Sequence, residues 1–183
     1  MRKLIVSEWI SLDGVYDAGS MDDWWNPYDS QARQQVIQQI VNDCDSMLYG
    51  RKTYEMLRPY WSSLHNNEMG VAAHLNGVKK YVVSRTLREA KWENSVIVQA
   101  EVADRVAALK REAGGNILII GSSMLVASLM KARLVDELEL LVQPYIVGTG
   151  ERFFGEDMQG ALALTASRTL DKGVLHLSYR VMH

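Results

Sequence analysis

Three short segments of this chain combine glycine, hydroxyl and basic side chains as an anion-binding turn does. Gly50-Arg51-Lys52-Thr53 follows an apolar run and opens a helical pattern. Free backbone N–H groups and the helix dipole favour an anion there, and Arg51 and Lys52 add charge. Ser84-Arg85 follows the run Tyr81-Val82-Val83, and a hydroxyl beside a guanidinium suits a phosphate monoester. Gly121-Ser122-Ser123 follows Ile117-Leu118-Ile119-Ile120. Gly121 lets a ligand approach the backbone, and the serines either cap the next helix or bind phosphate oxygens. Each segment alone is also ordinary turn chemistry. Three of them at strand ends point to a ligand with several phosphates, such as a dinucleotide. The chain has no Gly-x-Gly-x-x-Gly fingerprint, which excludes an ordinary Rossmann site.

The candidate proton-transfer groups are carboxylates in the first 30 positions. Asp13 reads either as a turn residue before Gly14 or as a substrate-facing acid. Asp29 reads either as a helix N-cap or as a proton donor in a pocket. Glu8, inside an apolar strand, is either on a solvent-facing edge or a buried functional carboxylate. Nine of the 15 aromatic residues lie in the first 61 positions. Trp24, Trp25, Tyr54 and Trp61 could stack on a flat heterocycle, and core packing explains each equally well. No Gly-x-Ser-x-Gly nucleophile elbow occurs. The four histidines and Cys44 have no ligand spacing, so no metal site is expected.

The elements that must position these groups can be read from the pattern. Leu4 to Leu12 is a first strand, continuously apolar at its start. Residues 15–29 form a long loop of the kind that carries function. Asp29 or Ser30 caps a helix bearing Val36, Ile37, Ile40, Val41 and Cys44. Ser46 to Tyr49 is a strand. A helix starts near Thr53 and breaks at Pro59. Another covers 67–76, with Gly77 as its C-cap. Lys79 to Ser84 and Val96 to Val98 are strands, and Val102, Val106 and Leu109 mark the next helix. Asn116 to Ile120 belongs in the middle of a sheet. It leads to a helix with Leu125, Leu129 and Met130. Alternation of strand and helix up to this point signals parallel crossovers. Glu137 to Val147, Leu162 to Leu170 and Val174 to Val181 then alternate as strands. The last two are joined by Asp171-Lys172-Gly173, an antiparallel hairpin turn.

Composition bounds the rest. A chain of 183 residues, 48% hydrophobic and 23% charged, fits one globular domain spanning 1–183. The net charge of -2 argues against nucleic acid as a partner. No apolar run approaches membrane-spanning length, and the N-terminal run is too short for a signal-peptide core. A lone cysteine fits a cytoplasmic location.

Taken in order, Ser11-Leu12-Asp13-Gly14, Leu48-Tyr49-Gly50-Arg51-Lys52-Thr53-Tyr54-Glu55, Lys80 to Leu87, Ile119 to Ser123, Leu134 to Leu138 and Gly148 to Phe154 resemble the dihydrofolate reductase-like family. The resemblance is to its branch named for the C-terminal reductase domain of the bifunctional riboflavin-biosynthesis deaminase/reductase. It covers nearly the whole chain. It implies an α/β fold: a mixed, mostly parallel central sheet flanked by helices, with a C-terminal antiparallel hairpin. It also implies NADPH across the strand ends. Gly50, Arg51, Thr53, Ser84 and Arg85 match positions lying against the adenosine phosphates, and Gly121, Ser122 and Ser123 match the pyrophosphate turn. Dihydrofolate reductases proper carry Gly-Gly there, joined by a cis peptide, where this chain has Gly121-Ser122. A homodimer is a further implication.

The expectation is an NADPH-dependent reductase. It transfers a hydride to a C=N or C=O bond of a small heterocyclic or ribityl-bearing substrate. Asp13 and Asp29 are its candidate catalytic acids, and Trp25, Tyr54 and Trp61 its candidate substrate contacts. Two alternatives stand beside it. One is a non-catalytic nucleotide- or metabolite-binding module. The other is the riboflavin-pathway pyrimidine reductase itself, against which counts the direct start of the chain at the reductase strand.

Overall fold

The computed structural model describes residues 1–156 and 158–183. Its centre is β5 (Asn116–Ile120), whose Ile117, Leu118 and Ile119 are fully buried. A strand with four consecutive apolar residues, Ile117 to Ile120, must be covered on both faces, and the fold obliges. The other strands are β1 (Leu4–Ser11), β2 (Cys44–Gly50), β3 (Lys79–Val83), β4 (Ser95–Val98), β6 (Glu137–Gln143), β7 (Ala161–Thr169) and β8 (Leu175–Met182). They form one eight-stranded sheet in the order β4-β3-β2-β5-β1-β6-β8-β7. Pairing is parallel from β4 to β6 and antiparallel for β6–β8 and β8–β7. The fold is the mixed α/β sheet with a terminal hairpin that the sequence implies.

The helices are α1 (Met21–Trp24), α2 (Gln31–Asn42), α3 (Arg51–Trp61), α4 (Ala72–Gly77), α5 (Val102–Arg111) and α6 (Ser123–Lys131). Val106 and Leu109 of α5 and Leu125 and Leu129 of α6 pack on Leu4, Val6 and Ile10 of β1. Val41, Tyr54 and Leu75, from α2, α3 and α4, pack with Ile5, Met47 and Leu118 on the opposite face. The chain leaves β1 toward β2 through α2, and leaves the adjacent β5 toward β6 through α6. Two neighbouring strands whose connections depart in opposite directions open a crevice at their carboxyl ends. No helix among the described residues is long and apolar enough to cross a membrane.

Several boundaries differ from the sequence reading. Residues 15–29 are not one open loop: they hold 3-10 turns at Ala18–Ser20 and Asn26–Tyr28 around α1. Burying Trp24 and Trp25 compels this ordered backbone, and the Asp17 carboxylate accepts Gly19 N–H at 3.0 Å to start it. α3 starts at Arg51 and passes Pro59 to reach Trp61. Proline removes one hydrogen bond there, in a final turn that is already ending. Cys44 begins β2 instead of closing α2. The 67–76 helix is a 3-10 turn at Glu68–Gly70 followed by α4, and Gly77 is its last helical residue. β6 stops at Gln143, before Pro144. β7 is an edge strand exposed on both faces, so the alternation of Leu162 and Leu164 builds no buried side.

Candidate active site

The register aligns the strand ends. Gly50 of β2 pairs with Val83 of β3, Leu48 with Ile119 of β5, and Ile120 with Ser7 of β1. The turns at Gly50, Ser84 and Gly121 therefore lie along one edge of the sheet. Two of them are bonded to each other. The Gly50 N–H donates to the Ser122 hydroxyl at 2.9 Å, and that hydroxyl donates to Thr53 Oγ1 at 2.9 Å. Gly121 has φ +63° and a Cβ there would lie 3.1 Å from Thr53 Oγ1, so glycine is favoured on two counts. Ser122 is also left-handed, at φ +63°. Its two side-chain hydrogen bonds hold it in that costly conformation. The Gly121–Ser122 peptide is trans.

Ser122 thus neither caps α6 nor points to solvent. Of the six α-helices among the described residues only α2 has a side-chain N-cap, Ser30, which accepts Arg33 N–H at 3.2 Å; α3 and α6 are the ones without a cap that start at this edge. Two helix starts with free N–H groups face the same edge, as an anion site needs. Arg51 bonds Glu55 at 3.0 Å and the Thr86 hydroxyl at 2.5 Å, tying α3 to the loop after β3. The buried Ser84 hydroxyl accepts the N–H groups of Thr86 and Leu87 at 3.2 and 2.9 Å. It shapes the turn that presents Arg85. Arg85 is exposed, and it makes no hydrogen bond or ion pair among the described residues. The Ser123 hydroxyl lies 2.8 Å from Tyr16 Oη.

Beside this edge is a cavity of about 490 Å³, within the usual size of a small-molecule site. Trp9, Trp25, Met56, Leu57, Trp61 and Leu75 are among the residues that line it, as are Asp29 and Arg33. Trp25 stacks on Trp9 with ring centroids 4.1 Å apart and carries the Arg33 guanidinium 3.7 Å over its ring. Arg33 also donates to the Trp25 carbonyl at 2.6 Å and to Asp29 at 2.9 Å. Asp29 is therefore an ion-pair partner at the cavity, and Ser30 takes the cap. Tyr54 does not reach the cavity. It is 1% exposed, its hydroxyl accepts Trp92 N–H at 2.7 Å, and it packs with Tyr49 and Trp92. Asp13 also lies outside the lining. Its carboxylate accepts the Ser11 hydroxyl at 2.7 Å and the N–H groups of Val147 and Gly148 at 3.0 and 2.9 Å. Those donors hold its pKa down at about 2.

Four cavity residues stand out: Glu8, which the sequence left open between an edge and a buried functional carboxylate, and Tyr49, Tyr16 and Glu151, which it did not single out as site residues. Glu8 is 5% exposed, and burial pushes its carboxyl up to about 8 against the N–H groups of Trp9 and Gly121. Its Oε2 has no hydrogen-bond partner. Tyr49 Oη is likewise buried and unpartnered, and burial raises its pKa. At the rim, Tyr16 donates to Glu151 at 2.8 Å and Lys52 pairs with Glu151 at 3.0 Å. Burial pushes Tyr16 to about 12, and Lys52 and Tyr16 hold Glu151 below its ordinary value. An acid inside an apolar strand was the one visible signal for Glu8. Tyr16 and Glu151 are 135 positions apart, and only the fold joins them.

A family model described as the RibD C-terminal domain matches residues 2–176. The chain belongs to this family. The Bacillus subtilis protein YyaP, itself uncharacterized, is 26% identical over 181 residues, covering 97% of this chain and 94% of YyaP. A solved structure of a Shewanella sp. PV-4 protein ascribed to riboflavin biosynthesis superposes with a TM-score of 0.74 at 19% identity, covering 99% of both chains. Dihydrofolate reductase from Enterococcus faecalis, solved with NADP(H), gives a TM-score of 0.64 at 14% identity, covering 99% of this chain and 97% of that one. The fold is thus shared by RibD-type and dihydrofolate-reductase-type proteins.

Proposed function

We propose that the protein is an NADPH-dependent reductase acting on a C=N or C=O bond of a small substrate. The observation that carries this reading is the edge where β2, β3 and β5 end. Two helix starts without side-chain caps adjoin an aromatic cavity there, and the free guanidinium of Arg85 follows the end of β3 on the same edge, outside the cavity wall. The residues fit the cofactor. The free N–H groups opening α3 and α6, at Arg51 to Thr53 and at Ser122 and Ser123, would hold phosphate oxygens, with Gly50 and Gly121 letting them approach the backbone. Arg85, presented by the Ser84 turn, would take the 2′-phosphate, and Arg51 braces that loop. When bound, the nicotinamide supplies a hydride. The protein's part is to orient both rings and exclude water, with Trp25 and Trp61 on the substrate side. A cytoplasmic homodimer belongs to the same reading. Support for the dimer is the exposed edge strand β7, with Leu162 and Leu164 at 38% and 55% exposure.

Titration with NADPH, followed by tryptophan fluorescence, is expected to give a saturable change. No change at millimolar cofactor overturns the proposal. Arg85→Ala is expected to weaken NADPH roughly tenfold or more while sparing NADH, from the about 1.5–3 kcal/mol of a charge-assisted hydrogen bond. Equal losses remove Arg85 from that role. One observation favours a second reading, a binding module without turnover: Asp13 and Asp29 are both engaged in internal bonds. Tight NADPH binding without oxidation across pterins, pyrimidines and quinones would support it.

A further inference from the structure

We propose that the Glu8 carboxyl is the proton donor of this cleft, and that the substrate is an unphosphorylated, flat heteroaromatic ring carrying a C=N bond. The inference rests on the reductase reading and deepens it. Glu8 is the first residue of β1 beyond the end of β5, since Ser7 pairs with Ile120 and the chain then turns away at Gly121. It therefore sits in the crevice between the two strands whose connections part. Its Oε1 accepts Trp9 N–H at 3.1 Å, and its Oε2 is buried, unpartnered and part of the cavity wall. Such an atom is either a large uncompensated cost or a group awaiting a ligand.

Burial keeps Glu8 protonated, against the N–H groups of Trp9 and Gly121. From the loop after β1 come Tyr16, which feels its charge, and Asp17, which lines the same cavity. α3 brings Lys52, paired with Glu151. β6 brings Leu140, and the β5–α6 turn brings Gly121. No cation among the described residues pairs with Glu8, and burial lifts its carboxyl to about 8. At neutral pH the side chain is a donor. As the carbon of a C=N bond gains a hydride, the nitrogen takes the Glu8 proton. The product carries C–H and N–H, the side chain is left as a carboxylate, and solvent returns its proton between turnovers.

The charge of the wall sets the substrate class. Its ionisable acids are Glu8, Asp17, Asp29 and Glu151, and its bases are Arg33 and Lys52. Both bases are engaged, with Asp29 at 2.9 Å and Glu151 at 3.0 Å. A phosphate on the substrate would meet more acids than bases, and no free cation. The remaining wall is aromatic and aliphatic, which suits a flat apolar ring. Buried Tyr49 Oη and Arg33 Nε, also without partners, are further handles for ring substituents.

Binding of quinazoline, of its all-carbon counterpart naphthalene, and of pyridoxine and pyridoxine 5′-phosphate as competitors tests this without turnover. The wild-type protein is expected to prefer quinazoline over naphthalene roughly tenfold at about pH 6.5, the worth of one hydrogen bond. The preference is expected to vanish at about pH 9.5, where Glu8 is ionised. Glu8→Gln keeps a donor, so the preference survives and loses its pH dependence. Glu8→Leu abolishes it. A preference that ignores pH in the wild type, or that survives Glu8→Leu, overturns the role of Glu8. Stronger competition by pyridoxine 5′-phosphate than by pyridoxine, with excess inorganic pyrophosphate present to fill the anion edge, overturns the substrate class. All arms are read without cofactor, so a failure to bind NADPH, which overturns the reductase reading, is a separate result.

Discussion

Replacing Glu8 by glutamine is expected to change the pH dependence of stability, in a direction fixed by the structure. The folded-state pKa of about 8 stands above the ordinary value of 4.5. The folded state therefore holds its proton over a range in which the unfolded chain has lost it. A group of this kind contributes fully below about pH 4.5, and the contribution is lost as pH rises toward 8. At about 1.4 kcal/mol per pH unit, the loss over that window is about 5 kcal/mol. Glutamine cannot ionise, so the variant does not incur it. It is expected to be about 1 kcal/mol less stable than the wild type at pH 4, from imperfect bonding of its amide. At about pH 9 it should be more stable by about 4 kcal/mol. Urea unfolding followed by tryptophan fluorescence would register the crossing as a relative midpoint shift of about 2 M. A stability difference that stays constant to within about 1 kcal/mol from pH 4 to 9 refutes a buried, neutral Glu8.

Other substitutions separate the cavity from its support. Tyr54→Phe leaves the Trp92 N–H buried and unpaired and should cost about 1–3 kcal/mol. Ligand affinity measured by fluorescence should be unchanged, because Tyr54 faces the core. Gly121→Ala forces a left-handed alanine against Thr53; thermal melts should show a loss of about 1–2 kcal/mol, and NADPH titration a loss of affinity. Asp13→Asn should lower the melting temperature at pH 7. Because the Asp13 pKa is depressed from 3.8 to about 2, its contribution is present above about pH 4 and lost as pH falls toward 2, so melts of the two proteins should converge there. If the proposed homodimer forms through β7, the wild type is expected to sediment as a dimer and Leu164→Asp as a monomer; a monomeric wild type overturns that part of the proposal.

Local chemistry was legible where the local pattern decides the answer. Asn116 to Ile120 reads as an interior strand, because Ile117 to Ile120 leave no polar residue for a solvent-facing side. The three turns were visible because glycine, serine and arginine follow apolar runs directly. How far along a helix the cavity reaches is another matter. Tyr54 and Trp61 lie seven residues apart on one face of α3 and pack in the same cluster, yet only Trp61 also lines the cavity, and neither residue type nor periodicity distinguishes them. Asp13 was ambiguous for a different reason. Its partner N–H at Val147 is 134 positions away, so only tertiary structure shows that its carboxylate is a latch. Glu8 was visible as an anomaly in an apolar strand. Its meaning depends on β5 stopping one residue short of it, which is a fact of strand register.

The costly features of the molecule gather at that register point. An unpartnered carboxyl oxygen and a left-handed serine lie where β1 and β5 part, and the starts of α6 and, from the neighbouring β2, α3 lie beside them. The first two are costly, and their coincidence calls for a shared cause. A ligand spanning the edge supplies one, since anionic oxygens satisfy the helix starts and a ring nitrogen satisfies Glu8. The buried strand β5 and the helices on both faces provide the stability that lets these groups stay unsatisfied in the free protein. Ligand binding must then raise stability by mass action. The gain should fall at high pH for a ring ligand that needs the Glu8 proton, and persist for a phosphate ligand that does not.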